Sequence, residues 1–501
     1  MFNSRASGIL LHPTSLPSPG GIGDFGKGAY DFLDFMAANQ QQIWQILPLG
    51  PTGSDHSPYA AYSALAGNPL LIDLQQLVAA NYLSDKDLLD LPAYDSQRVD
   101  YEAVIAQKMP LLELAWENFT LNATTPEQQE FESFCDRQAF WLDDYALFMA
   151  IKDSQPTPWY EWETALVNRT PAAIRSYSSR FNHRLRYHKF LQFQFFRQWQ
   201  QLKQYANRLN IQIFGDISFY VAHDSADVWA NPEIFALDAD GRAKLMAGVP
   251  PDYFSQTGQL WGNPVYNWEQ LEADNYQWWV KRVEVMLEQV DLFRIDHFRG
   301  LQSFWAVERG NETAEHGRWI EAPGTALFTT LQEKLGKLPI VAEDLGVITP
   351  EVEALRDRFN FPGMKVLQFA FGFMGGDPSF LPHNYTSANS VIYTGTHDNN
   401  TLVGWFNERS PEEQAQILNY LNSADAPADI HWSFIRLAMS SVANMAIFPL
   451  QDILGLGADA KMNVPGSVAG NWSWRYPASV LTDELGSRLR ELTELYDRAA
   501  R

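Results

Sequence analysis

The chain has 501 residues, 46% of them apolar, enough to bury a large core. Its net charge of −23, from 60 acidic and 37 basic residues, argues against a nucleic-acid or anionic-membrane partner, since both need a basic face. The single cysteine, Cys135, excludes an internal disulfide and fits a reducing, cytoplasmic setting.

The first residues, MFNSRASGILLHP, hold no apolar run of signal-peptide length. They lead into the first of eight short apolar runs that end in polar or acidic residues. GILLHP (8–13) and IWQILPL (43–49) are the first two. A long stretch, 51–205, then reads as a mostly helical insertion. It finishes in an amphipathic helix over 185–209 that leads into IQIFGD (211–216). A second insertion, 217–290, carries the loop 248–268, rich in large apolar residues and suited to covering a substrate. LFRIDH (292–297) follows, and TALFTTLQEKLG (325–336) predicts a helix ending at a glycine. PIVAED (339–344) precedes VITPEVEALRDRF, where Thr349 can cap a helix and Pro350 suits its first position. KVLQFA (365–370), VIYTGTHD (391–398) and MAIFPLQD (445–452) complete the set. The most apolar long run, FIRLAMSSVANMAIFPL, contains Arg436 and is short for a bilayer span.

Runs of this length suit strands buried on both faces, and helices between them suit parallel pairing. The expected fold is α/β: a (β/α)8 TIM barrel, one catalytic unit over 1–501, with large, mostly helical insertions after strands 2 and 3. The alternative is a doubly wound open sheet.

A barrel places its site at the C-terminal ends of its strands. Four runs end there in acids: Asp216, Asp296, Glu343 and Asp398. Glycoside chemistry needs one ionised carboxylate at the anomeric carbon and one protonated carboxyl at the leaving oxygen. Arg294 and Asp296 are two apart on a strand, so they share a side, and the guanidinium favours ionised Asp296. A structural ion pair explains that segment equally well. Glu343 and Asp344 face opposite ways, and only one can enter the barrel mouth. A Glu near other carboxylates keeps its proton, as a general acid must. Asp398 can bond sugar hydroxyls and, by like charge, help keep Glu343 protonated. His397 can donate to a hydroxyl or be a satisfied buried histidine. Asp216 is a sugar binder or a support, while His223, Asp224 and Asp227 read as structural. No spacing of Cys, His and acids makes a zinc site. Aromatic residues are 14% of the chain, with 17 Trp, and flat rings stack on sugar C–H faces, although most will be core.

These blocks, in order, resemble the α-amylase superfamily and, within it, the amylomaltases or disproportionating enzymes of glycoside hydrolase family 77. GILLHPTSLPSPGGIGDFG, GSDHSPYAAYSALAGNP, GVPPDYFSQTGQLWGNPVYNW, FRIDHFRG, VAEDLGVITPEV, TGTHDNNT and MNVPGSVAGNWSWR carry the likeness. It implies a 4-α-glucanotransferase acting on malto-oligosaccharides and α-1,4-glucans, without metal or organic cofactor. Asp296 is then the nucleophile, Glu343 the general acid/base and Asp398 the transition-state stabiliser. Tyr59, Asp216, Tyr253, Trp261, Asn263, Arg294, His397, Asn463, Pro465 and Gly466 match substrate-binding and supporting positions. Retention implies carboxyls about 5–5.5 Å apart. Relatives with an outlying glucan site carry an aromatic where this chain has Ser54, Asp55 and His56, so only Tyr101 can keep half of such a site. The rival function is an α-amylase-like hydrolase, which uses the same carboxylates. The further rival is a non-catalytic glucan-binding protein. Oligomeric state is expected to be monomer or weak homo-oligomer.

Overall fold

A computed structural model describes residues 5–251, 255–371, 376–422, 429–467 and 470–500. Its strands, in chain order, are β1 (Ala6–Leu10), β2 (Ile43–Gln45), β3 (Gln212–Ile217), β4 (Leu245–Val249), β5 (Gln259–Pro264), β6 (Leu292–Ile295), β7 (Ser303–Glu308), β8 (Gly317–Glu321), β9 (Ile340–Ala342), β10 (Gly363–Val366), β11 (Ser390–Tyr393) and β12 (Met445–Pro449). Eight of them are parallel and run in the order β10-β11-β12-β1-β2-β3-β6-β9. Ala342 N–H donates to Pro362 O at 2.8 Å, which joins β9 to the residue before β10 and closes the ring. This is the (β/α)8 barrel, and it excludes the open sheet. Each apolar run supplies one strand. The run 365–370 is strand only to Val366, and Leu367–Ala370 turns into a 3-10 helix.

Every residue of β1, β2, β9, β11 and β12 is buried, which is why these segments read as unbroken apolar runs. Between β2 and β3 come the long helices α1 (Tyr101–Asn122), α2 (Thr125–Ser154) and α3 (Asn182–Arg208). An aromatic cluster joins them. Phe119 meets Phe131 edge-on at 5.5 Å and Phe190 at 5.1 Å. Thus the first insertion is built largely of helices.

The insertion after β3 is built differently. Within it β4 and β5 pair as an antiparallel hairpin, where the sequence predicts a covering loop. The hairpin joins β7 and β8 in a four-stranded sheet, β5-β4-β7-β8. The partner strands come from the next loop of the barrel, beyond β6, so nothing local marks the pairing. The predicted helices 325–336 and after Thr349 are α4 (Gly324–Leu335) and α5 (Pro350–Arg358). Gly336 ends the first with φ +77. Thr349 occupies the cap position of the second, but its side chain makes no cap bond. Among the described residues no helix is long and apolar enough to cross a membrane.

At the barrel's N-terminal end the fully buried Arg498 spends its guanidinium on carbonyls alone. It donates to Met439 O, Ala6 O and Ala443 O at 2.9 Å each, and to Ser441 O at 3.2 Å and Asn444 O at 3.3 Å. These carbonyls flank β1 and β12, so one side chain satisfies the seam where the chain's two ends meet. Arg498→Met removes all five of these bonds, although Met439 O and Ser441 O keep Arg5 and Asn444 O keeps Ala6 N–H. It should lower unfolding stability by about 3–5 kcal/mol, read from urea unfolding midpoints. A loss below about 1 kcal/mol removes this role for Arg498.

Candidate active site

The register of the barrel brings the acids together. Asp216 on β3 pairs across from Arg294 on β6. Ile295 pairs with Ala342, so the next residues, Asp296 and Glu343, leave adjacent strand ends side by side. Arg294 Nε donates to Asp216 Oδ1 and Oδ2 at 3.0 and 3.1 Å, and its Nη2 donates to Asp296 Oδ1 at 2.7 Å. Tyr59 Oη donates to Asp216 Oδ2 at 2.6 Å and accepts from Arg294 Nη2 at 3.2 Å. Asp216 has a fully buried side chain with both oxygens engaged, so it holds Arg294 and Tyr59 and does not reach a sugar. The supporting alternative is the one its geometry allows.

Glu343 turns inward and Asp344 outward, as their adjacency predicts. Asp344 pairs with Arg356 Nη1 at 2.5 Å and accepts Met364 N–H at 2.7 Å. Gly363 makes room for it, since a Cβ there would sit 2.3 Å from Asp344 Oδ2. The Glu343 carboxyl accepts His297 N–H at 2.7 Å and Leu345 N–H at 2.9 Å. His297 reaches it because its backbone is left-handed, with φ +54. Facing them beyond β11, Asp398 lies 3.3 Å from His397 Nε2 and accepts Asn463 Nδ2 at 2.7 Å.

Each carboxyl sits in a different field. Burial pushes Glu343 up to about 8, and the Asp296 charge adds to it; Arg294 and the two backbone N–H groups pull the other way. Burial also pushes Asp296 up to about 6, with Arg294 opposing and Asp216 and Asp398 adding. Burial works against ionised Asp398 too, but His397, the Asn463 amide and Arg294 overcome it and hold Asp398 well below the usual carboxylate range. Two expectations change here. Arg294 alone does not set Asp296, because burial outweighs it. The like charge that keeps Glu343 protonated is that of its neighbour Asp296, rather than of Asp398. Near pH 7 the arrangement supplies two carboxylates and one carboxylic acid around one opening.

The remaining predicted positions are distributed around this core. His397 is buried and stacks on Tyr59, ring centroids 5.2 Å apart at 14°, with Trp472 tilted against both. Trp261 on β5 meets His297 edge-on at 4.9 Å, beside the backbone N–H that Glu343 accepts. Asn263 Nδ2 is taken by Val221 O at 2.8 Å, so this amide fastens the hairpin to the chain beyond β3. Pro465 and Gly466 lie exposed just past Asn463, and Gly466 has φ +82. Tyr253 lies outside the described residues. His223, Asp224 and Asp227 bind Gly241 O, Lys152 and Ala64 N–H, and tie the insertions together. His56 lies flat on the buried Tyr101 at 3.9 Å, so that pair offers no open ring of Tyr101. Reasoning from the sequence missed His297 and Trp472. His297 directly follows Asp296, but its contribution is a backbone N–H that no residue type announces.

Comparison with known proteins fits this geometry. A family model described as 4-alpha-glucanotransferase, that of glycoside hydrolase family 77, matches residues 11–482. A 4-alpha-glucanotransferase from Synechocystis sp. is 57% identical over 501 residues, covering 99% of each chain. A chloroplastic/amyloplastic 4-alpha-glucanotransferase from Arabidopsis thaliana is 43% identical over 500 residues, covering 99% of this chain and 86% of the relative. Among solved structures, an amylomaltase from Streptococcus agalactiae in complex with acarbose superposes with a TM-score of 0.95 at 40% identity, covering 99% and 100% of the two chains. The chain therefore belongs to the 4-alpha-glucanotransferases of glycoside hydrolase family 77.

Proposed function

We propose that Asp296, Glu343 and Asp398 carry out glucan transfer by a retaining double displacement. As a member of its family, the chain moves α-1,4-glucan segments from a donor to the 4-hydroxyl of an acceptor glucan or glucose. Asp296 attacks the anomeric carbon while Glu343 gives its proton to the leaving oxygen, and a β-glucosyl ester forms on Asp296. Glu343, now a base, takes the proton of the acceptor hydroxyl, which attacks and restores the α bond. Asp398, held ionised, bonds the sugar hydroxyls and stabilises the positive charge that develops on the ring. The scheme invokes neither metal nor organic cofactor.

The observation that carries this reading is the placement of Asp296 and Glu343 at adjacent strand ends, the first beside Arg294 and the second on two backbone N–H groups, an arrangement that suits one ionised and one protonated carboxyl. Tyr59, His397, Trp261 and Asn463 line the same opening, and we assign them to holding the sugar. We assign Arg294, Asp216 and Asn263 to holding the parts that do so. Pro465 and Gly466 form the rim beside Asn463, and we assign Tyr253, which follows β4 in sequence, to the same subsites by its family position alone. The acarbose complex of the solved relative supports a malto-oligosaccharide in this groove. A cytoplasmic monomer or weak homo-oligomer is our reading of setting and assembly, resting on the lone cysteine and the acidic charge.

Incubation with maltotriose tests the transfer. A ladder of longer glucans together with glucose is expected. Shorter products alone would assign the chain to the hydrolases, which use the same three carboxylates.

A further inference from the structure

Of the 17 Trp only two are exposed, Trp261 at 39% and Trp319 at 41%. Trp261 belongs to the site already described. Trp319 lies on β8, at the opposite edge of the same sheet, three strand spacings or about 14 Å from β5. Thirteen of the others are buried and Trp278 and Trp305 are half-buried, so Trp319 is the one open indole at a place the mechanism does not use.

That indole is held rigidly. It packs edge-on against Trp305, its cross-strand partner, with centroids 5.3 Å apart at 67°. Trp305 is in turn anchored by its Nε1–H, which donates to Ala314 O at 2.8 Å. The Arg299 guanidinium lies over the Trp319 ring, 4.0 Å from its centroid. Arg299 is 6% exposed, donates to Val347 O and to Ser303 Oγ, and leaves its buried Nε without a partner. Val347 is two residues past Leu345, whose N–H bonds Glu343. One buried cation therefore ties the open ring to the loop that carries the acid/base.

Flat rings with few rotamers to freeze are good stacking surfaces for the C–H faces of pyranoses. Glu343 serves the leaving and entering oxygens, so its loop marks the acceptor side of the site. We infer that Trp319 is an outlying platform on which a distal glucosyl unit of a long α-1,4-glucan acceptor stacks, fastened to the Glu343 loop by Arg299. The inference rests on the glucan-transfer reading above. It concerns only acceptors long enough to reach β8.

The test uses the full chain, α-maltosyl fluoride as donor, and either glucose or maltohexaose as acceptor. Trp319→Ala should raise the acceptor KM for maltohexaose about three- to tenfold and leave that for glucose within about twofold. Trp319→Phe, which keeps a ring, should recover most of the difference. Equal changes for both acceptors, or none for maltohexaose, overturn the platform. If the unaltered enzyme gives no transfer product with either acceptor, the glucan-transfer reading itself has failed, and that result is separate from any behaviour of the variant.

Discussion

Asp296→Asn abolishes glucan transfer: turnover of maltotriose is expected to fall by at least about 10⁴-fold, while maltotriose binding stays within about threefold. The substitution is nearly isosteric. Its amide oxygen can still accept Arg294 Nη2, which now bonds Asp296 Oδ1 at 2.7 Å, so the Asp216–Arg294–Tyr59 network persists. What disappears is the charge and the oxygen that forms the glycosyl ester. Calorimetric titration with maltotriose and a product assay separate the two effects. Turnover above about one per cent of the unaltered enzyme sinks the assignment of Asp296 as nucleophile. Removing the charge also relieves Glu343, whose carboxyl should titrate closer to its ordinary range in this variant.

The second large effect concerns Glu343 and pH. Activity requires ionised Asp296 and protonated Glu343 together. The kcat/KM profile should therefore rise as pH passes about 6, where Asp296 loses its proton, and fall as it passes about 8, where Glu343 does. Glu343→Gln should lose about 10²–10⁴-fold with maltotriose, whose leaving group needs a proton. With α-maltosyl fluoride it should still release a burst of fluoride, because fluoride leaves without general acid help. The basic limb should vanish from that first step. Absence of the burst, or an unchanged basic limb, removes Glu343 from the acid role.

Much of this site is legible in the chain itself, for local reasons. A strand buried on both faces must be apolar throughout, so eight barrel strands appear as eight runs, and the residue ending each run lies at the barrel mouth. A period of two puts Arg294 and Asp296 on one side and sends Glu343 and Asp344 to opposite sides. The glycine after 325–335 likewise marks a helix end, since φ +77 suits a residue without Cβ. The ordered family blocks then imply, for these four acids, the proposed roles of nucleophile, acid/base, stabiliser and supporting carboxylate.

Other features depend on residues far apart in sequence. The β4–β5 hairpin reads as a covering loop until β7 and β8 are seen to continue its sheet. Asn263 reads as a sugar binder, and only the fold shows that its amide nitrogen also donates to Val221 O. Nothing in the segment around Arg498 signals the five carbonyls that surround it in the fold. By itself the sequence determined the barrel, its acid-tipped strands and which side of each strand those acids take, because these follow from short periodicities along one chain. Only the tertiary structure decided how the acids act on one another. The alignment of Ile295 with Ala342 makes Asp296 the neighbour that keeps Glu343 protonated, and the alignment of Asp216 with Arg294 sequesters Asp216. Fields and hydrogen bonds fall off over a few ångströms, and distances on that scale between separate strands are set by register and burial, which no single segment encodes.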